Sequence, residues 1–245
     1  MNGKINWCTI CNLRHETIKN NKKMKKVLFS MAIVVLSTLS LTAQVTEGNV
    51  KYAIDMSSTN PEMQMQLSMM QGSTFELFFQ GDLTRSEMNM GSMMKIVTIT
   101  NEKSEGALML MSGMMGNTAV KMGADDLKKS TDEAPEAEVT LTDETKDIQG
   151  FKCKKAVVTD EEGTESVVWY SDEIVVNKLG QNYLNSKVPG FPLEFELNQG
   201  EIKMTMTSTE FNKKLDKKLA KTIFDTTIPE GYTEMSPEEL GGMGR

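Results

Sequence analysis

Phe191, Leu193, Phe195 and Leu197 alternate with Pro192, Glu194, Glu196 and Asn198. After Gln199-Gly200 the pattern resumes, with Ile202, Met204 and Met206 set against Lys203, Thr205 and Thr207. A period of two sends alternate side chains to opposite faces of a strand, and Gln-Gly is turn chemistry, so this stretch predicts a β-hairpin with one face buried. Val50, Tyr52, Ile54 and Met56 repeat the pattern near the start. Shorter strands are expected at Phe75–Phe79, Lys95–Thr100, Ala107–Met111, Glu138–Thr142, Ala156–Thr159 and Ser166–Tyr170, with Glu161-Glu162-Gly163 as a turn between the last two. So many antiparallel segments make a sheet long enough to curl.

Helical signals are weak beside this. Phe211, Leu215, Leu219 and Ile223 recur every fourth residue among Lys213, Lys214, Lys217, Lys218 and Lys221, a spacing that permits an amphipathic helix docked on the sheet. The charged stretch from Asp125 to Glu138 contains Pro135 and reads as a solvated loop with at most one helical turn. No repeat and no Gly/Ser/Pro linker divides the chain, so one domain is expected.

The amino terminus reads as an address. Lys25 and Lys26 follow Met24, the apolar run Val27 to Leu41 comes next, and Ala43 precedes Gln44 at the expected cleavage point. That run is shorter than the roughly 20 apolar residues a membrane-spanning helix needs. Residues 24–43 are therefore expected to be a secretory signal, and 44–245 a soluble exported domain, periplasmic or outer-membrane-associated, with no transmembrane segment after cleavage. Residues 1–23 lie upstream of that signal and are expected to precede the true start. Their Cys8, Cys11 and His15 lack the partners that would complete a zinc site.

Of the 27 Lys/Arg and 34 Asp/Glu residues, seven basic and one acidic lie in 1–43, so the remainder carries 20 against 33, a net charge of -13. A nucleic-acid partner is not expected of so acidic a chain. Beyond Ala43 there is no histidine and a single cysteine, Cys153. That removes the usual general base, the usual transition-metal ligand and any internal disulfide. Cys153 is expected to be a buried thiol. The tail Leu240-Gly241-Gly242-Met243-Gly244 is not a phosphate loop, and paired acids such as Asp172/Glu173 carry no information in a chain this acidic. No enzyme activity and no cofactor are expected.

Methionine is the chain's most unusual feature. Of 21 in all, 14 lie between Met56 and Met122, clustered as Met63, Met65, Met69 and Met70; Met88, Met90, Met93 and Met94; and Met109, Met111, Met114 and Met115. Three readings stand side by side. Unbranched, polarizable side chains suit a cavity for an acyl chain or another lipid, lined by Met63, Met65, Met69, Met109 and Met111, with Met63, Met65, Leu67 and Met69 sharing one face of a strand. Thioethers at Met-X-Met spacing also suit Cu(I) or Ag(I), through Met88, Met90, Met93 and Met94. The third reading is a malleable core in a structural envelope protein without ligand. Trp169 and Phe191 are expected in the core.

Several segments carry a resemblance. Ile148-Gln149-Gly150-Phe151-Lys152-Cys153-Lys154-Lys155-Ala156, Trp169-Tyr170-Ser171-Asp172-Glu173-Ile174 and Val188-Pro189-Gly190-Phe191-Pro192-Leu193-Glu194 resemble elements of exported Bacteroidota proteins of unknown function related to the GLPGLI family. Phe224, Ile228-Pro229-Glu230-Gly231-Tyr232 and Met235-Ser236 are similar to the ending of that group. Pro-Gly-Phe-Pro stands here where those relatives have Pro-Gly-Leu-Ile. The resemblance implies a LolA-like half-barrel, a mainly β (α+β) fold in which a curved antiparallel sheet, an incomplete β-barrel, covers a few short helices. It also implies that Phe211 to Lys221 is strand end and turn instead of helix.

Overall fold

Nearly every alternating segment forms a strand, and the strands join one open, curved, mainly antiparallel sheet. The structure, a computed structural model, describes residues 44–91, 93–104, 106–114, 116–127, 137–177 and 187–243. The extension expected at 1–23, the signal sequence expected at 24–43, Met115 and most of the acidic stretch 125–138 lie outside these described residues. The strands belong to the compact unit that begins at Gln44.

Six strands form a first meander: β1 (Glu47–Ser58), β2 (Thr74–Gln80), β3 (Leu83–Met90), β4 (Met94–Asn101), β5 (Gly106–Gly113) and β6 (Gly116–Met122). A second contains β7 (Glu138–Ile148), β8 (Phe151–Thr159), β9 (Glu165–Ser171), β10 (Phe191–Gln199) and β11 (Ile202–Asn212). Pairing of β1 with β11 joins the two, and the short β12 (Thr233–Met235) adds parallel to β6. The resulting order is β12-β6-β5-β4-β3-β2-β1-β11-β10-β9-β8-β7. At the β7–β8 turn both Gln149 (φ 52°) and Gly150 (φ 77°) are left-handed, the backbone a two-residue hairpin needs to match strand twist. The Gln149 amide also donates to the Ser208 carbonyl at 3.0 Å, anchoring the turn across the sheet.

The main core lies on one face. Val50, Tyr52 and Ile54 of β1 are opposite Leu77, Phe75 and Met206 on neighbouring strands, all buried with Phe79, Phe151, Phe191, Leu193 and Phe195. Each such side chain contributes about 1.5–3 kcal/mol by leaving water. Tyr52 is buried complete with its hydroxyl, which donates to the Pro192 carbonyl at 2.7 Å. Pro192 has no N–H to give the ladder, and the β9–β10 register shifts between Pro192 and Glu194. The Pro-Gly motif before it is steric in origin. A Cβ at Gly190 would lie 2.6 Å from Tyr170 Cδ2 and 2.7 Å from the Ser171 carbonyl oxygen, so only glycine lets the chain enter β10 against β9.

Two expected segments differ. Met63, Met65 and Leu67 were expected on a strand but lie on a helix, α1 (Pro61–Ser68). Asn60 caps it by accepting from the Glu62 N–H at 3.0 Å, and Pro61 occupies the first turn, where a missing N–H costs nothing. These start signals override the local alternation. The helix considered from Phe211 to Ile223 does not form. β11 continues to Asn212, which pairs with Asn49, and the Phe211 ring packs on Phe151 with centroids 4.7 Å apart. The following chain makes a single 3₁₀ turn at Leu219–Lys221, begun by Asp216 accepting from the Lys218 and Leu219 N–H groups. It then crosses the sheet's other face, where Ile228 and Tyr232 cover a second core of Val97, Ile99, Leu108, Leu110 and Ala119. A short helix, α2 (Pro237–Met243), follows β12.

Candidate ligand-binding face

Directly paired residues share a face, so the register of β3–β6 shows which side chains stand together. One row reads Met90, Met94, Gly113 and Gly116. The next reads Met88, Ile96, Met111 and Thr118, and a third Ser86, Thr98, Met109 and Val120. The last is Thr84, Thr100, Ala107 and Met122. None of these sixteen residues is charged. They continue the face that carries the main core, since Met88 pairs with Phe75 and Ser86 with Leu77. The reverse face of the same strands carries Arg85, Glu87, Lys95 and Lys121 beside the second core.

Six methionines thus occupy one uncharged surface: Met88, Met90, Met94, Met109, Met111 and Met122, all half-buried. Met56 and Met204 extend it as a cross-strand pair on β1 and β11, and Met206 is buried beside them. The sequence marks Met56, Met204 and Met206 as strand-face residues, but neither they nor Met122 are among the expected lining positions. Alternation within their strands was the available signal. Small hydroxyl residues separate the thioethers, and Thr84 and Thr100 satisfy each other, with their Oγ1 atoms 2.5 Å apart.

The structure brings Met109 and Met111 together with Met88, Met90 and Met94. It does not bring Met63, Met65 and Met69 onto this surface as a strand would. On α1, Leu67 is buried and Met63 half-buried, whereas Met65 is 74% exposed and Met69, just beyond the helix, 67%. Met93 sits in the β3–β4 turn, also exposed. Phe191 is fully buried, and Trp169 packs at the margin of the main core with the Lys146 ammonium 5.6 Å from its ring centre.

Cys153 is buried on β8, its Sγ 3.7 Å from the Phe151 carbonyl oxygen. Burial pushes the thiol up to about 11, so it stays protonated at neutral pH. On the reverse face, a cavity of about 320 Å3 lies under the carboxy-terminal chain, lined by residues including Arg85, Lys95, Asp225 and Tyr232. Its cations are already engaged, because Glu87 accepts from Arg85 at 2.6 Å and contacts Lys95 at 2.8 Å. Burial raises the Glu87 carboxyl, but hydrogen bonds from Lys95 and Arg85 outweigh it and hold the group below the ordinary carboxylate range. Among the described residues no three His, Cys, Asp or Glu side chains gather as metal ligands, and no helix is long and apolar enough to cross a membrane.

The molecule is thus a mainly β protein built on one open sheet, with an uncharged, methionine-lined surface continuous with its core. Residues 60–178, from α1 past β9, match DUF4412, a domain of unknown function, and this stretch contains the whole β3–β6 surface. No curated protein matches the chain by sequence. Similar solved structures are distant. PNGF-II is 16% identical with a TM-score of 0.44, the match covering 80% of this chain and 32% of that one. MucB is 11% identical with a TM-score of 0.39, covering 82% and 64%. A LolA superfamily protein from Nitrosomonas europaea is 10% identical with a TM-score of 0.20, covering 71% and 90%. The chain thus spans about a third of the length of PNGF-II.

Proposed function

We propose that this is a non-catalytic, exported binding protein that holds an acyl chain or a similar apolar molecule against the methionine-lined surface of β3–β6. The supporting observation is the composition of that surface. Sixteen paired positions on four adjacent strands carry no charge, and six of them are methionines that remain half-buried. Flexible thioether side chains conform to guests of varied shape, and an uncharged surface does not penalise a hydrocarbon. The intervening hydroxyls can take a polar headgroup or ester. Secretion through residues 24–43 and work in the periplasm belong to the same proposal.

The test is native mass spectrometry of the protein purified without detergent, alongside Met109→Glu and Met111→Leu. A co-purifying mass released by organic solvent is expected on the wild type and on Met111→Leu, because Leu nearly preserves shape and polarity. Met109→Glu should lose it, since an unpaired carboxylate faces the guest. A bare wild-type mass refutes the reading and leaves the methionines as packing in a structural protein. An adduct that persists on Met109→Glu places the ligand elsewhere.

A further inference from the structure

We infer that Met88, Met90, Met94 and Met111 form a site for a soft monovalent cation, Cu(I) or Ag(I), at the end of this surface. The inference rests on strand register and stands whether or not an apolar ligand binds. Met90 and Met94 are directly opposite across the β3–β4 hairpin. Directly opposite residues have Cβ atoms about 4.5–5.5 Å apart. Met88 is two residues before Met90 on the same strand and face, about 7 Å along it. Met111 lies in the same row as Met88, with Ile96 between, and is diagonal to Met94, whose direct partner is Gly113. The four thus stand at the corners of one small patch, and each side chain has three rotatable bonds with which to converge.

The surroundings suit that cation class. Thioethers are neutral, soft donors that select Cu(I) over the harder divalent ions, and no carboxylate, imidazole or charged group shares this surface. All four side chains are half-buried, so a bound ion is shielded yet reachable. Gly113 closes the patch. A Cβ there would collide with the Met93 carbonyl oxygen, so its absence lets the β3–β4 turn that follows Met90 and precedes Met94 lie against β5. Met93 itself falls outside the set because it occupies the turn, and Met65, Met69 and Met114 are exposed.

The test uses the full chain with Cys8→Ser and Cys11→Ser, which removes thiols that would capture the metal first. With methyl-13C-labelled methionine, Ag(I) is titrated and the methyl resonances are followed. One equivalent should shift Met88, Met90, Met94 and Met111 together and leave Met65, on α1, in place. The double variant M90L/M94L should keep its fold and lose at least about tenfold in Ag(I) affinity, the least that disturbing even a supporting contact costs a metal site. The control M63L/M65L on α1 should bind as the parent does. Shifts led by the exposed methionines, unchanged affinity in M90L/M94L, or no shifts at all would each overturn the site. Loss of silver binding with retention of any co-purified apolar molecule separates this site from the proposed function.

Discussion

Alkaline pH should destabilise this protein through one side chain. Cys153 is fully buried, and burial raises its thiol from an ordinary value of 9.0 to about 11. The raised value means the folded state holds its proton where the unfolded chain releases it. Its contribution is therefore fully present below pH 9.0 and is lost as pH rises through about 11. That separation corresponds to roughly 3 kcal/mol in all, of which about 1 kcal/mol disappears between pH 8 and 10. Urea titrations at pH 8, 9 and 10, on the Cys8→Ser/Cys11→Ser background to prevent cross-linking, would measure it. Cys153→Ala loses some packing at every pH, but its stability should fall less steeply, and the difference between the two slopes isolates the thiol from lysines and tyrosines titrating nearby. Parallel lines for parent and Cys153→Ala would refute the reasoning. Greater loss in the alanine variant would refute its sign.

Two further substitutions probe the fold. Gly190→Ala forces a methyl group against Tyr170 and the Ser171 carbonyl, and should cost about 1–3 kcal/mol in urea, read as a lower midpoint at unchanged slope. Glu87 is held below the ordinary carboxylate range by Lys95 and Arg85, so its contribution is present above its unfolded value of 4.5 and lost as pH falls through the folded one. Glu87→Gln should therefore be less stable at pH 7, and the gap to wild type should narrow on acidification in thermal melts.

Strands were legible where alternation was strongly apolar, as in β1, β2, β10 and β11. β3 and β6 escaped notice because their inward positions include Thr84, Ser86, Thr118 and Gly116, too polar or too small to mark a buried face. The helix α1 was misread because Met63, Met65, Leu67 and Met69 alternate like a strand, while the signals that decided, Asn60 and Pro61, lie just before them. Ile228 and Tyr232 cover the second core from a chain with no hydrophobic period, so the motif that holds them was visible but their place in a core was not. Methionine density flagged the surface, but which methionines meet depends on register. A one-residue slip in β4 or β5 would send Met94 or Met111 to the other face, and sequence alone does not fix that register.

The join between β1 and β11 also decides the order in which the molecule can assemble. Neighbours within each meander meet across turns or modest loops, whereas Lys51 and Thr209, bonded across the join, are 158 residues apart. Closing so long a loop brings its entropic cost before any contact rewards it, so this pairing is expected to be slow and late. At a synthesis rate of about 5–20 residues per second, β1 is made roughly 7–30 s before β11 exists. Through that interval Val50 and Tyr52 have β2 on one side and nothing on the other. The central strand of the finished sheet is, until the end, its exposed edge.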